Sequence, residues 1–374
     1  MFLRLINYFC SFGLFLCAFV SSETLIIQSS DQHSSYKKMS NFLASIEVLS
    51  RRFKTSYPKG SVVIVINGDF SGFGQNAQFH WDRGSFGYII LSELAKKYSI
   101  IYTFGNHDAF AWSDSQLFLE QMSLLKHSGV NLVVENTVFY PEYQDLFKPY
   151  VDIPLSSENK MRLIGYTIPD RKKDTLLRFQ ENSPMVIEKF TGLNSIERHL
   201  KEANSKDEIK AVALSMHLGV SKVKNTLSKL DSDTKAKLKI AFAGHDHKNI
   251  TYKLANTQII DSGAYFKFSQ ILLDNKGEIL SLSFFNTKDQ SDFSLLVDEN
   301  SLEYSLINDI RNFLTSKTIR ENEFRPLIFP VLFDIPRKTN GHKIEVQKSS
   351  EKDKKPPCMK TFKGKKAFKS LLFK

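Results

Sequence analysis

The sequence predicts an α/β layered domain with some antiparallel sheet towards its end. Short β-branched runs alternate with stretches whose apolar residues recur every three or four positions. Polar clusters directly follow several of those runs, and the last third turns to closely spaced strand-like segments.

Thr24-Leu25-Ile26-Ile27 reads as a strand. Lys37 to Arg52 has helical spacing through Met39, Phe42, Leu43, Ile46 and Leu49. Val62 to Ile66 is a continuous β-branched run, the mark of a strand covered on both faces. A helix near Tyr88 to Lys97, a strand at Ile100 to Phe104 and a helix from Asp114 to His127, with Ser113 as N-cap, follow. Further strands fit Leu132 to Val134, Leu163 to Gly165, Ala211 to Leu214 and Ile240 to Phe242. The strand-rich end comprises Thr251–Leu254, Thr257–Ile260, Phe266–Leu273 and Ile279–Phe285. Ser301 to Ser316 reads as one more helix.

The 374 residues are 42% hydrophobic and 24% charged, which excludes a chiefly disordered, collagen-like or coiled-coil chain. The net charge of +11 is unevenly spread. Residues 337–374 hold 13 Lys and Arg against 3 Asp and Glu, leaving the rest at +1. A basic body that binds nucleic acid is therefore not indicated. The Lys-rich tail, with Phe362, Phe368 and Leu371 to Phe373 between its lysines, would suit contact with an anionic surface. Arg4, the uncharged run Leu5 to Val20 and the small residues before Glu23 read as an export signal over 1–22, removed or kept as an anchor. Periplasmic or secreted localisation is the expectation. Cys10, Cys17 and Cys358 all lie outside 23–336, so neither disulfides nor thiolate metal sites are expected there. The expected layout is a signal at 1–22, a catalytic domain at 23–290, an extension at 291–336 and a flexible tail at 337–374.

Five polar clusters carry the chemistry: Asp31-Gln32-His33, Gly68-Asp69, Gly105-Asn106-His107-Asp108, Met216-His217 and Gly244-His245-Asp246-His247. Loops after strand ends are where α/β folds place ligands. Asp, Asn and His donors in this mixture suit Zn, Mn or Fe rather than an oxygen-only Ca or Mg cage. The donors exceed what one ion needs, so two divalent ions are implied, with one carboxylate between them. Gly68, Gly105 and Gly244 allow sharp turns and close backbone approach. In Asp31-x-His33 and His245-x-His247, extended backbone would turn both side chains the same way.

The ordered set D-x-H, G-D, G-N-H-[DE], H, G-H-x-H resembles the calcineurin-like metallophosphoesterase signature, and within it the 5′-nucleotidase/UDP-sugar hydrolase branch. The resemblance covers about Glu23 to Phe285 and implies a four-layer α/β/β/α sandwich. It implies that Asp31, His33, Asp69 and His247 hold one metal and that Asp69, Asn106, His217 and His245 hold the other. His107 would contact the phosphate, stabilising the transition state or protonating the leaving oxygen. The implied activity is hydrolysis of phosphate monoesters by a metal-bridging hydroxide, on a small phosphorylated substrate such as a nucleotide. A phosphodiesterase or nuclease on the same site, and a non-catalytic metal-containing surface-binding protein, are the rivals.

Two departures qualify the resemblance. Where that branch commonly reads G-N-H-E-F-D, its final Asp position is Phe110 here, which leaves Asp108, Asp114 or Asp82 as acidic partners for His107. The large C-terminal domain that selects the nucleobase also has no counterpart in the residues after Phe285. His80, His127, His199 and His342 read as solvated or structural, and Asp246 as a loop cap. Trp81-Asp82-Arg83-Gly84 only weakly matches a phosphatase D-R-G motif. Gly72-Phe73-Gly74 is a loop without a phosphate-binding Lys. Phe73, Phe79, Trp81 and Phe110 read as core or cleft aromatics.

Overall fold

The computed structural model describes residues 22–71, 85–110, 115–139, 144–167, 185–187, 193–286, 293 and 295–315. The signal and tail segments therefore lie outside the described residues. So do Ser113, Asp82, Asp114, His80, His342, the 72–84 loop motifs and the side chain of Phe110. None of the described helices is long and apolar enough to cross a membrane. By its contacts the chain divides into a unit over 1–314 and a second over 315–374.

In chain order the elements are β1 (Thr24–Ser29), α1 (Tyr36–Ser56), β2 (Ser61–Asn67), α2 (Ser85–Leu94), β3 (Ser99–Thr103), α3 (Asn106–Phe110), α4 (Ser115–His127), β4 (Asn131–Leu132), β5 (Thr137–Phe139), β6 (Tyr150–Pro154), β7 (Lys160–Tyr166), β8 (Met185–Ile187), α5 (Leu193–Asn204), β9 (Ile209–Met216), α6 (Val220–Leu227), β10 (Leu238–Ala243), β11 (Asn249–Leu254), β12 (Thr257–Ser262), β13 (Phe268–Leu273), β14 (Ile279–Phe285) and α7 (Leu302–Thr315).

Two six-stranded sheets form the centre, ordered β14-β13-β1-β2-β3-β4 and β11-β12-β10-β9-β7-β6. In the first, β1 to β4 run parallel and β13 and β14 close one edge antiparallel. In the second, β12, β10, β9 and β7 are parallel, with antiparallel β11 and β6 at the edges. A small β5-β8 pair stands apart from both.

Strand periodicity sorts the side chains into layers. On β9, Ala211 and Ala213 join Ile26, Val63, Val65 and Ile101 of the first sheet in one buried cluster between the sheets. Their neighbours Val212 and Leu214 face the other way and pack with Ile196, Leu200, Val223 and Leu227 of α5 and α6. On the outer face of the first sheet, Phe42 of α1 meets Phe266 and Phe268 with ring centroids 5.4 and 5.7 Å apart. Helices thus cover both stacked sheets, giving the expected four layers. The parallel strands β1, β2, β3, β9 and β10 all end towards the same loops.

The chain beyond residue 290 does not part from this body at once. Phe293 is buried against Phe285. In α7, Leu306, Ile307 and Ile310 are buried, and Glu303 receives Lys97 Nζ at 2.9 Å and the Tyr98 hydroxyl.

Candidate metal centre

Each of these strand ends delivers one or two polar residues. Asp31 and His33 follow β1, Asp69 follows β2, Asn106 and His107 open α3 after β3, His217 follows β9, and His245 and His247 follow β10. Backbone bonds splice the loops: Asp31 N–H donates to the Gly68 carbonyl and His33 N–H to that of Asp69, both at 3.0 Å.

All of these side chains meet in one place. Atoms of Asp31, His33 and His247 lie within 4.8 Å of one another, as do those of Asp69, His217 and His245, and those of His33, Asp69 and His107. His33 Nε2 is 3.0 Å from His247 Nε2, which is 3.3 Å from Asp31 Oδ1. His217 Nε2 is 3.0 Å from Asp69 Oδ2 and 3.9 Å from Asp31 Oδ1. His245 Nδ1 is 3.0 Å from Asn106 Oδ1. Asp31, Asp69 and His217 are fully buried, whereas His245 and His247 face the opening. The seven expected metal residues and His107 are therefore brought together.

The local backbone differs from the expected extended form. Asp31, His33, Asp69, His245 and His247 all adopt left-handed φ, between 49° and 70°. Tight left-handed corners, rather than an i, i+2 alternation, aim these side chains inward. Gly68 shares this conformation at φ 81°. At Gly105 a Cβ would come 2.3 Å from Asp69 Oδ1, so only glycine lets β3 approach the carboxylate.

Charge is balanced across the cluster. Burial pushes the Asp69 carboxyl up, but His217 above all, with His107 and His33, outweighs burial and holds it below the ordinary carboxylate range. Asp31 is lowered in the same way, chiefly by His217 and the hydrogen bond from His247. Burial lowers His33 to about 4 and also lowers His245. Burial opposes the charge on His217 too, yet Asp69 and Asp31 raise it to about 10. The bond to Asp31 raises His247.

The donor set fits divalent cations. Asp69 Oδ2 and His217 Nε2 are both buried and make no hydrogen bond, although they face each other at 3.0 Å. Two donors about 2.1 Å from one cation at right angles lie about 3.0 Å apart, so such a gap matches two ligands of a shared ion. His217 Nδ1 donates to the Asn67 carbonyl at 2.8 Å. That bond aims Nε2 at the site, an arrangement common for metal-bound His.

Asp108 sits beneath the cluster, fully buried. Its carboxylate accepts backbone N–H groups from Asp69 (2.9 Å), Ser71 (2.8 Å) and Gly105 (2.8 Å), plus the Ser71 hydroxyl. Asn67 is a supporting residue that pattern reading missed. Besides its carbonyl bond to His217, its side chain joins the two sheets, accepting from Ser215 Oγ at 2.8 Å and donating to the Met216 carbonyl. An Asn ending an apolar strand immediately before Gly-Asp was the available signal. Tyr265 was also missed: its ring packs 5.7 Å from His33 and 6.0 Å from His247, and its N–H donates to the Asp31 carbonyl. His199 is structural, buried against Glu135 and Glu202, and His127 is exposed. Asp246 lies outside the cluster, beside Gly219 and Lys248.

A stacked pair of mixed sheets, with buried carboxylates and imidazoles converging at the parallel strand ends, defines a metal-dependent hydrolase. Residues 24–249 match the calcineurin-like phosphoesterase family, and the chain belongs to it. No curated protein matches the chain. Among solved structures, the chain is similar to a putative 5′-nucleotidase from Staphylococcus aureus, with a TM-score of 0.53 and 14% identity over 78% of this chain and 59% of that one. It is also similar to the NAD nucleotidase NadN of Haemophilus influenzae, with a TM-score of 0.48 and 12% identity over 78% and 60%. A third similar structure is TT1561 of Thermus thermophilus, with a TM-score of 0.42 and 12% identity over 70% and 98%. The chain thus spans about 60% of the length of the two nucleotidases.

Proposed function

We propose that this phosphoesterase is dinuclear and hydrolyses phosphate monoesters, with nucleoside 5′-monophosphates as the favoured class. The convergence of Asp69 with six other donor residues supports the dinuclear centre. Asp31, His33, Asp69 and His247 hold one ion; Asp69, Asn106, His217 and His245 hold the other. Two bound Zn, Mn or Fe ions would acidify a water and offset the charge on the phosphoryl oxygens. The nucleotide preference draws on the branch resemblance and on the name of the S. aureus relative.

His107 is the chain's own chemical group. Its backbone N–H is fixed on Asp69 Oδ1 at 2.6 Å, and its ring stands edge-on to His33, with centroids 4.7 Å apart. The imidazole would donate to a phosphoryl or leaving-group oxygen. Asp108 acts through the backbone it holds and is a positioning residue, not a proton donor. Export through residues 1–22 is part of the same proposal, supported by the Arg4 and Leu5–Val20 pattern; mature protein beginning near Glu23 is its expected sign. Contact of residues 337–374 with an anionic surface is tested by deleting them and measuring vesicle binding.

The deciding assay sets AMP against bis(p-nitrophenyl) phosphate on protein of known metal content. Faster turnover of AMP is expected. Faster turnover of the bis-ester would make the protein a phosphodiesterase, and turnover of neither would remove the proposal. His107→Ala should retain both ions and lose at least about 100-fold in turnover. Loss of an ion in that variant would make His107 a ligand.

A further inference from the structure

Ser30 stands between the end of β1 and Asp31, fully buried. A buried hydroxyl costs free energy unless it is hydrogen-bonded, so its partners show what it is there for. Its Oγ lies 2.5 Å from Asp31 Oδ2 and 2.9 Å from the Asn67 carbonyl oxygen. A serine hydroxyl has one proton, so the two acceptors compete for it. The ionised carboxylate is the stronger acceptor. The Asn67 carbonyl already receives the Nδ1–H of His217 at 2.8 Å. Ser30 therefore donates to Asp31.

That bond decides which oxygen Asp31 offers. The backbone N–H of His245 spans both carboxylate oxygens, at 3.1 Å from Oδ1 and 3.0 Å from Oδ2, whereas Ser30 reaches Oδ2 alone. The nearest imidazole approaches all fall on Oδ1. They come from His247 Nε2 at 3.3 Å, His217 Nε2 at 3.9 Å and His33 Nε2 at 4.0 Å. The carboxylate is thus turned with one oxygen towards the imidazoles and the other towards the hydroxyl.

The fold keeps room for this arrangement. Gly244 opens the loop that carries His245 and His247. A Cβ there would come 2.4 Å from Ser30 Oγ and 3.2 Å from Asp31 Oδ2. Gly244 lies outside the left-handed region that Gly68 adopts, so close approach and not conformation calls for glycine here. The space a side chain would take is the space beside the hydroxyl.

We infer that Ser30 is a positioning residue for metal binding. Its hydroxyl fixes Asp31 as a one-oxygen ligand, and so sets the affinity of the ion that Asp31 holds with His33 and His247, without touching that ion. The inference rests on the dinuclear reading and deepens it: the two ions depend unequally on one hydroxyl that belongs to neither.

The test strips full-length protein of metal and titrates it with Co(II) by calorimetry. Wild type should take up two ions. Ser30→Ala should weaken one of them about tenfold or more and the other by less than about threefold, the size expected when the hydrogen-bond partner of a ligand is removed. Ser30→Thr keeps the hydroxyl and should bind both ions as wild type does. Two backgrounds identify the ion. In Asn106→Ala, which removes a ligand of the other ion, Ser30→Ala should still weaken the ion that remains. In His247→Ala it should leave the remaining affinity unchanged.

Equal weakening of both ions, unchanged binding in Ser30→Ala, or a loss in Ser30→Thr as large as in Ser30→Ala would overturn the inference. A wild type that binds a single ion would remove the dinuclear reading, and the inference would then stand only if Ser30→Ala weakened that ion about tenfold. Binding of no ion would end both. If the binding pattern holds and no phosphate ester is hydrolysed, Ser30 keeps its role and the catalytic reading falls.

Discussion

His217 donates its Nδ1–H to the carbonyl of Asn67 at 2.8 Å and presents Nε2 to Asp69 Oδ2 at 3.0 Å. Without cations, burial opposes the charge on this ring, but Asp69 and Asp31 raise its pKa to about 10. A bound ion needs the neutral ring, so loading must displace that proton. Titrating stripped protein with Zn or Mn at pH 8 should release about one proton per chain from this group. Calorimetry in two buffers of different ionisation enthalpy measures it; identical heats would count against the assignment. The folded pKa lies above the ordinary value of 6.5. Its stabilisation of the stripped protein is thus complete below about pH 6.5 and lost as pH rises through 10.

Asp69→Asn should reduce bound metal from about two ions to one or none and turnover by at least about 100-fold, because a neutral amide cannot serve two cations. Metal analysis beside the assay checks it. Full metal content in the variant would place the shared carboxylate elsewhere.

Asp108 binds three backbone N–H groups from the loops that carry Asp69 and Asn106. An amide at this position sets an NH2 against one of those donors. Asp108→Asn should cost about 2–4 kcal/mol of stability and lower turnover, as read by denaturant unfolding and kinetics. A stable variant with unchanged kinetics would show that the buried carboxylate positions nothing.

Two glycines offer an internal comparison. Gly105→Ala puts a methyl group 2.3 Å from Asp69 Oδ1 and should abolish metal binding. Gly129→Ala meets nothing within 4 Å and suffers only its left-handed φ of 92°, a cost of about 1 kcal/mol with activity kept. Equal losses of activity in the two would refute the steric account.

Asp261, the penultimate residue of β12, is fully buried, and its Oδ1 accepts from Gly263 N–H at 2.9 Å. Burial, then the charge of Asp31, raises its carboxyl to about 7, above the usual 3.8. The folded chain therefore keeps a proton that the unfolded chain releases. The stability this contributes is present below about pH 4 and falls as pH rises to 7, by at most ~1.4 kcal/mol per pH unit. Melting curves of stripped Asp261→Asn between about pH 4 and 8 should lack that part of the slope. Parallel slopes for variant and parent would refute the raised pKa.

Most of this architecture was legible because its signals are local. The run Val62 to Ile66 became a central strand, and the spacing of Met39, Phe42 and Ile46 became the face of α1. Helices α5 and α6 escaped notice because each offers few apolar positions, such as Ile196 and Leu200 or Val223 and Leu227, among many Lys, Glu and Asn. Strand β6 was obscured by Asp152, which is there to meet Arg162 Nε at 2.8 Å, a partner visible only after folding. The metal-site residue types were readable from their clusters, but their left-handed corners were not. Asn67 and Tyr265 act through contacts distant in sequence, with His217 and with His33.

Those corners limit how the centre can change. Asp, Asn and His tolerate left-handed backbone several-fold better than most side chains, and β-branched residues tolerate it least. Five of the proposed ligands sit in it, so their identity is selected twice, once by the ion and once by the peptide chain. Recruiting a new metal by swapping in Cys or Glu would meet a conformational penalty before any coordination preference was felt. Substitution is conformationally freer at Asn106 and His217, the proposed ligands that lie outside the left-handed region.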